Sequence, residues 1–173
     1  MASKSKEPRK SRFSLRERQR RYVFLRQSKF EPVRVEDFCE VACVLPALKE
    51  IIDHLKHFRE YSSMGAELPS AAIFYGFAGN GTTYGARLVA TQIGSEFVDV
   101  RGFPRHPDED AFSSEDVRQL FALAERRVRK IRGTVLLFWD QFDAFLESAG
   151  KEAISQFYVE LDGVLGKRRG VFL

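Results

Sequence analysis

Apolar residues along the chain follow two alternating periods, and this pattern predicts strands that alternate with helices. Spacings of three and four, as at Leu48, Ile51 and Ile52, are typical of amphipathic helices, and short apolar runs between turn residues predict buried strands. The predicted helices span residues 44–60, 83–93, 114–130 and 150–162, and the predicted strands span residues 71–75, 96–101, 134–139 and 170–173. The alternation indicates an α/β fold with three αβα layers and a mainly parallel sheet.

Two segments sharpen this prediction. The run 134–139 is the most apolar in the chain, which predicts a central parallel strand covered on both faces. Residues 102–110 are polar and contain two prolines and an acidic cluster, so we expect a surface loop there. Ser114 follows this loop and is the predicted N-cap of the helix over 114–130.

A glycine-rich segment links the predicted strand 71–75 to the predicted helix 83–93. It has the spacing G-x-x-x-x-G-K-[ST] of a phosphate-binding loop, but Thr82 occupies the lysine position. Backbone N–H groups at such a turn bind anions, so most of the grip on a phosphate comes from the main chain. The predicted nucleotide-binding residues of this segment are Gly76, Phe77, Ala78, Gly79, Asn80, Gly81, Thr82, Thr83 and Tyr84.

A second motif follows the strand predicted over 134–139. Asp140 is placed to accept a water from the shell of a Mg²⁺ ion, and Thr83 keeps a hydroxyl that would hold the same ion. Gln141 stands where a glutamate would polarise the attacking water, and its amide cannot accept a proton as a carboxylate does. Asp140 and the degenerate Gln141 are therefore the predicted catalytic positions. An ordinary tight turn and a strand-capping Asp140 form the alternative interpretation, which the combination of the two motifs disfavours.

The two substitutions have different expected costs. A charge-assisted hydrogen bond is worth about 1.5–3 kcal/mol, so losing the ammonium at Thr82 lowers nucleotide affinity by about one to two powers of ten. Removing general-base help at Gln141 costs about 10²–10⁴ in rate. The sequence thus predicts weak binding of ATP or ADP with Mg²⁺ and impaired hydrolysis.

Charge is distributed unevenly along the chain. Residues 1–31 contain 11 Lys/Arg and 3 Asp/Glu, a net charge of +8, whereas the whole chain carries +4. We expect this basic arm to be disordered or to form a short solvated helix. It is interpreted as a solubilising tail, with weak contact to nucleic acid or an anionic lipid surface as the alternative.

The remaining composition argues against several classes of protein. No run approaches the ~20 apolar residues of a membrane span, and the N-terminus lacks the apolar core of a secretory signal. We therefore expect a cytoplasmic protein, although the Arg-rich arm leaves organellar targeting open. Cys39 and Cys43 form a single pair, which predicts reduced thiols and no zinc site, and His54 and His57 are predicted surface residues.

From residue 33 to residue 173 the chain resembles the AAA+ ATPase module of FtsH-type ATP-dependent metalloproteases. Residues 33–38 look like the family's opening segment, which implies contact of Asp37 and Phe38 with the adenine. Residues 64–69, 116–121, 140–144 and 156–163 are similar to family motifs, and the last of these matches Gln-Leu-Leu-Val-Glu-Met-Asp-Gly nearly position for position. The resemblance implies a P-loop NTPase core of the AAA+ type.

This sequence departs from the family pattern at functional positions. Besides Thr82 and Gln141, Glu40 replaces a glycine of the opening segment, and residues 108–111 lack the aromatic element that grips substrate in the hexamer pore. We expect residues 1–31 to be an arm and residues 32–173 an AAA+ large subdomain, incomplete at its C-terminus before the sensor strand ends. A lid and a protease domain are then expected to be absent from this chain.

Three functions remain in competition at this point. The first is a degenerate module that binds nucleotide weakly and acts as a non-catalytic or regulatory subunit, in a homo- or hetero-oligomer with active AAA+ subunits. The second is an active ATPase in which Arg87 or Arg105 replaces the missing lysine. The third is an interaction protein that uses the basic arm and carries a vestigial loop. Surviving Thr83 and Asp140 favour the first.

Overall fold

A computed structural model describes residues 30–38, 45–66, 69–77, 79–100, 112–166 and 170–173. A short 3-10 turn, Val35–Phe38, precedes the first helix. The helices are α1 Leu45–Lys56, α2 Phe58–Ser63, α3 Thr82–Ile93, α4 Ser114–Ile131, α5 Phe142–Ser148 and α6 Lys151–Gly166, and the strands are β1 Glu96–Asp99, β2 Val135–Phe138 and β3 Val171–Phe172. Helices and strands alternate as the hydrophobic pattern predicts.

The three strands form one parallel sheet in the order β1-β2-β3. In register, Phe97 of β1 faces Leu136 of β2, and Val135 of β2 faces Val171 of β3. All four residues of β2 are buried, which confirms the predicted central strand. Parallel strands buried on both faces need helices above and below the sheet.

Alternate strand residues enter two separate cores. One core packs Val98, Val135 and Leu137 against residues of α4, α5 and α6. The other packs Leu136 and its neighbours on that face against residues of α1 and α3. This two-residue alternation, with helices on both sides, confirms the three-layer αβα fold.

Helix α4 starts at Ser114, and its N-cap is Ser113, so the prediction of Ser114 as the N-cap is wrong by one residue. The Ser113 hydroxyl accepts a hydrogen bond from the Asp116 backbone N–H at 3.2 Å, and the Asp116 carboxylate accepts one from the Ser113 N–H at 3.0 Å. This reciprocal capping box satisfies two N–H groups that the helix cannot bond itself. The residues at helical spacing Val117, Leu120, Phe121 and Ala124 form its buried face.

The single helix predicted over residues 44–60 is wrong, since α1 and α2 are separated at His57. The His57 backbone (φ −102°, ψ 24°) leaves the helical region. Its ring Nδ1 lies 3.0 Å from the Asp53 carboxylate, and Tyr61 donates a 2.7 Å hydrogen bond to the same carboxylate. Side chains on both sides of the break thus hold the two helices together.

The buried strand predicted over residues 71–75 is also wrong. We call residues 70–75 the edge segment. It runs parallel to β3 through two hydrogen bonds, Ala72 N–H to the Leu173 carbonyl at 2.9 Å and Leu173 N–H to the Ser70 carbonyl at 3.1 Å. Ile73 and Tyr75 remain 80% and 92% exposed. In the part of the chain that the structure describes, Leu173 is the only residue whose backbone pairs with this segment.

Helix α5 was not predicted, whereas the helices over 83–93 and 150–162 and the strands over 96–101 and 170–173 are confirmed with shifted ends. Several predictions lie outside the described residues. These are residues 1–29 of the basic arm predicted over 1–31, the loop over 102–110, and Cys39 and Cys43.

Candidate functional site

The glycine loop, residues 76–81, connects the edge segment to α3. Gly79 and Gly81 have φ angles of +90° and +78°, in the left-handed region that only glycine adopts without strain. Gly81 is the N-cap of α3 and offers no side chain to it, and the first helical bond runs from Gly85 N–H to the Gly81 carbonyl at 2.8 Å. Helix geometry leaves the N–H groups of Thr82 and Thr83 without an intrahelical acceptor. This arrangement favours an anion at the start of α3.

Gly76 faces the side chain of Asn80. A Cβ at this position would lie 2.9 Å from Nδ2 of Asn80, a contact that the exposed Asn80 side chain can relieve by moving. Asn80 is held over Gly76 by a turn in which its N–H donates to the Phe77 carbonyl at 3.1 Å. The other side of the loop is open, since a Cβ at Gly79 would meet no atom within 4 Å and Phe77 is 87% exposed. The loop therefore has a defined backbone shape and an accessible surface.

Asp140 and Gln141 follow the central strand β2. Asp140 is half-buried, and its Oδ1 accepts a hydrogen bond from the Gln141 N–H at 3.0 Å. Gln141 is the N-cap of α5 and has a φ of +55°, a conformation that costs a non-glycine residue about 1–2 kcal/mol. Its side chain is exposed and does not cap the helix. The backbone turn that presents the two motif residues is therefore strained.

Aromatic packing holds this strained turn in place. Trp139 lies 4.5 Å from Phe145 and 5.5 Å from Phe142, measured between ring centroids. Phe112 and Phe157 complete the cluster, at 5.4 and 5.7 Å from Trp139. Their clustering beside Asp140 was not predicted from the sequence, although the three-residue spacing of positions 139, 142 and 145 is a helical signal. The cluster fixes the chain on both sides of Asp140.

Topology places the two motifs at the same end of the sheet. The edge segment is parallel to β3, and β3 is parallel to β2, so the glycine loop and Asp140 both follow the carboxyl ends of extended segments. Ligands of open α/β sheets bind at this end. Thr83 lies in the first turn of α3, behind the loop. The structure thus brings Thr82, Thr83 and Asp140 to one end of the molecule.

The structure does not place every predicted site residue. Ala78 lies outside the described residues. For Asp37 and Phe38 the structure gives only the backbone, which forms part of the 3-10 turn. The opening segment contacts α3, because Val33 N–H donates to the Thr91 hydroxyl at 3.3 Å. Contact of Asp37 and Phe38 with an adenine stays a prediction.

Arg87 was a candidate to replace the missing lysine, but its side chain packs elsewhere. The guanidinium carbon lies 5.5 Å from the centroid of the Phe30 ring, which in turn packs at 5.2 Å on Phe97 of β1. A cation over an aromatic face is a favourable contact in its own right. The described contact of the Arg87 guanidinium is therefore with Phe30, which precedes the opening segment, and not with the glycine loop. Arg105, the other candidate, lies outside the described residues.

The described part of the chain offers no cluster suited to a resident metal. No group of three or more His, Cys, Asp or Glu side chains there could hold a metal ion. The exposed cluster at the α1–α2 break has a different role: the hydrogen bond from Tyr61 holds the pKa of Asp53 below its ordinary value, with a smaller contribution from His57. None of the helices within the described ranges has the length and hydrophobicity needed to cross a bilayer.

Comparison with known proteins agrees with this architecture. Residues 72–173 match the family model of the ATPase family associated with various cellular activities (AAA). That match begins inside the edge segment and includes the glycine loop, Asp140 and β3.

Similar curated proteins come from the same family. The Saccharomyces cerevisiae mitochondrial inner membrane i-AAA protease supercomplex subunit YME1 is 30% identical over 138 residues, which cover 76% of this chain and 18% of that protein. The ATP-dependent zinc metalloprotease FtsH 2 of Symbiobacterium thermophilum is 29% identical over 153 residues, 82% of this chain and 25% of that protein. The chain thus spans about a fifth to a quarter of the length of these relatives. With the family model matched over more than half of its residues, this chain belongs to the AAA family of ATPases.

Proposed function

We propose that this chain is a degenerate AAA module that binds ATP or ADP weakly and hydrolyses it slowly or not at all. The observation that carries the proposal is the geometry of the glycine loop. Two left-handed glycines, Gly79 and Gly81, lead directly into α3, while the residue in the lysine position is Thr82. The main-chain part of a phosphate site is present and its charged part is missing.

Main-chain amides account for the binding we expect. The N–H groups of Thr82 and Thr83 at the start of a 12-residue helix attract a phosphate through unsatisfied hydrogen bonds and the helix dipole. Without the ammonium, the bound state loses about 1.5–3 kcal/mol, or one to two powers of ten in affinity. Weak but saturable binding is the expected result.

Thr83 and Asp140 have the right donor atoms for the ion that accompanies the nucleotide. Mg²⁺ prefers oxygen ligands and keeps several of its waters, so a hydroxyl and a carboxylate that accepts a bound water suit it. When bound, the ion neutralises charge on the phosphate oxygens. Asp140 is half-buried at the end of β2, where the strand and the aromatic cluster hold it in position.

Hydrolysis is expected to be slow because no carboxylate occupies the base position. Gln141 presents an exposed neutral amide, which cannot take a proton from the attacking water. Arg87 packs on Phe30 and does not supply the missing charge. We therefore propose a non-catalytic or regulatory role beside active AAA subunits, a partnership suggested by relatives such as the subunit of a protease supercomplex.

Binding and hydrolysis should be measured together on the intact chain. Equilibrium dialysis with labelled ATP and Mg²⁺ should show saturable binding in the high micromolar to millimolar range, and Thr82→Lys should tighten it about ten- to hundredfold. Phosphate release should stay at the background level for the unsubstituted chain. Thr82→Ser is the matched control, since it changes the same position without adding charge.

Two outcomes would contradict the proposal in different ways. Phosphate release above background that Asp140→Ala abolishes would show an active ATPase. Absence of saturable binding at millimolar ATP, in both the unsubstituted chain and Thr82→Lys, would show that the loop is vestigial. Either result separates the proposed module from the two competing functions.

A further inference from the structure

The last part of α4 carries a dense positive charge that the candidate nucleotide site does not use. Of the seven residues 126–132, five are Arg or Lys and none is Asp or Glu. Short runs of this composition are typical of surfaces that bind nucleic acids and other polyanions. Arg127 is engaged within the fold, because it pairs with the buried Glu96 carboxylate at the start of β1. The other four cations are exposed, and we call them the basic end of α4: Arg126, Arg129, Lys130 and Arg132.

Helix geometry brings these cations together. Arg126, Arg129 and Lys130 follow one another at spacings of three and four, so their side chains share one face of the helix. The face that contains Leu120 and Ala124 is fully buried in the core, and the three cations point away from it. The basic end is therefore one continuous charged surface on the outside of the molecule.

Few acidic groups neutralise this surface. The carboxylate of Glu125 lies 3.6 Å from Nη2 of Arg129, and an exposed ion pair of this kind is weak. Among the described residues, no acidic side chain pairs with Arg126, Lys130 or Arg132. Most of the positive charge is thus available to an anion from outside the chain.

The position of two of these cations needs more than helix stability to explain it. The helix dipole favours cations in the last turn, where Arg129 and Lys130 lie, but Arg126 lies more than a turn from the helix end. Arg132 is the C-cap and has a φ of +52°, in the left-handed region where glycine is usual. A non-glycine residue in this conformation is strained, and such strain is characteristic of functional positions.

The basic end lies at the opposite end of the sheet from the glycine loop and Asp140. Arg127 bonds Glu96, the first residue of β1, and a Cβ at Gly170, just before β3, would lie 3.1 Å from Cγ1 of Val128. The last turns of α4 are therefore beside the amino ends of the parallel strands, whereas the nucleotide site follows their carboxyl ends. A ligand at the basic end would not share residues with the nucleotide site.

We propose that the basic end of α4 binds the phosphate backbone of double-stranded nucleic acid without sequence specificity. Three of its four cations are arginines, whose planar guanidinium groups bind two phosphate oxygens at once. A duplex carries one phosphate per about 3.4 Å of each strand, so cations about 5–6 Å apart on a helix face can each reach a phosphate. The inference goes beyond the proposed nucleotide function and does not depend on it.

Other polyanions fit this surface less well. Single strands are bound largely by stacking on aromatic side chains, and no aromatic residue occurs between Phe121 and Phe138. A helix that binds an anionic membrane inserts its apolar face into the lipid, but the apolar face of α4 is buried in the core. The chemistry of the surface therefore favours a duplex over a single strand or a bilayer.

Arg126→Gln combined with Lys130→Gln tests the proposal. Fluorescence anisotropy of a labelled DNA duplex, titrated with the full chain at several salt concentrations, should show binding that weakens steeply as salt rises. Each phosphate contact contributes about 0.9 to the slope of log K against log salt, so the double variant should have a slope shallower by about two. Its binding should be at least about tenfold weaker at about 0.1 M salt.

The matched control is Arg118→Gln combined with Lys151→Gln. These two exposed cations lie near the starts of α4 and α6, and the control changes the net charge by the same amount. Its slope should differ from that of the unsubstituted chain by less than about 0.5. Every variant retains residues 1–31, so the contribution of the basic arm is the same in all of them. Arg126→Lys combined with Lys130→Arg keeps both charges and should keep the slope, which separates charge from packing.

Three results would each overturn the proposal. The first is no binding of the duplex by the unsubstituted chain. The second is an equal loss of affinity and slope in the two Gln double variants, which would show an effect of net charge alone. The third is binding to vesicles of phosphatidylserine and phosphatidylcholine, or to poly-glutamate, as tight as binding to the duplex in the same salt.

Discussion

Strand β2 and the edge segment are both short apolar runs, yet the structure treats them in opposite ways. Every residue of Val135–Phe138 is buried, with parallel neighbours on both sides and helices on both faces. In the edge segment only two backbone hydrogen bonds reach Leu173, and Ile73 and Tyr75 face solvent. Apolar composition therefore predicts which segments gain from burial, but neighbouring segments decide whether burial is achieved.

Strand β2 and the edge segment also carry different parts of the candidate site. The covered strand ends in Asp140, which strand pairing and aromatic packing hold in place. The uncovered segment ends in the glycine loop, whose shape depends on left-handed glycines and a single turn hydrogen bond from Asn80. We expect the acidic side of the site to be rigid and the phosphate-binding side to have low local stability.

The largest predicted effect is the loss of stability when a core residue of β2 is truncated, compared with a truncation in the edge segment. Leu137 is 1% exposed, so Leu137→Ala should lower the free energy of unfolding by about 2–5 kcal/mol through lost burial and a cavity. Ile73→Ala, at an exposed position, should change it by less than about 0.5 kcal/mol. Chemical denaturation followed by circular dichroism gives both values.

Similar losses for these two substitutions would contradict the comparison. A large effect of Ile73→Ala would mean that the edge segment is buried. A small effect of Leu137→Ala would mean that β2 is not the centre of the core.

A smaller effect is expected where a charge is buried at the start of β1. The single Nε–H of Arg127 in α4 is shared between both oxygens of the buried Glu96 carboxylate at 2.8 Å, and Nη2 lies 2.8 Å from Oε1. Arg127→Met should leave that carboxylate without its partner and cost about 2–3 kcal/mol, since Arg127 itself is partly exposed.

The double variant that combines Arg127→Met with Glu96→Gln is the control for this ion pair. Removing the charge together with its partner should recover part of the lost stability, measured by urea unfolding. No recovery would show that Arg127 acts through its packing and not through the ion pair.

The smallest effect concerns the polar surface at the α1–α2 break. Tyr61→Phe removes the hydrogen bond that chiefly lowers the pKa of Asp53, so this pKa should rise toward its ordinary value of 3.8 in a carboxyl NMR titration. A folded pKa below the unfolded one contributes stability that is complete above about pH 3.8 and is lost as pH falls through the folded pKa. Tyr61→Phe should therefore reduce this acid-side dependence. An unchanged Asp53 pKa would contradict the assigned cause.

Residue patterns in the sequence predict the buried strand β2 and the helix α4 well. The continuous burial of β2 and the apolar face of α4 follow from local composition and spacing, whereas the order of the strands in the sheet was not predicted. The exposure of Ile73 and the break at His57 were not predictable, because both depend on contacts between separate segments. Helix α5 was missed because its aromatic residues resemble a continuation of the strand before it.

Two parts of the candidate site, the spacing of the glycines and Asp140, could be recognised in the sequence. Both lie at the same end of the sheet because the segments that precede them run parallel. The strained conformation of Gln141 was not visible, because a positive φ at a non-glycine residue arises from its surroundings. The engagement of Arg87 with Phe30 likewise depends on where the opening segment packs.

Backbone amide NMR during an ATP–Mg²⁺ titration tests the central claim most directly, since it observes the groups said to hold the phosphates. The amide resonances of Gly79, Gly81, Thr82 and Thr83 should shift together and saturate at millimolar ATP, with little change in β1. Unchanged loop resonances at saturating ATP, or shifts confined to other parts of the chain, would contradict a nucleotide site built from main-chain groups.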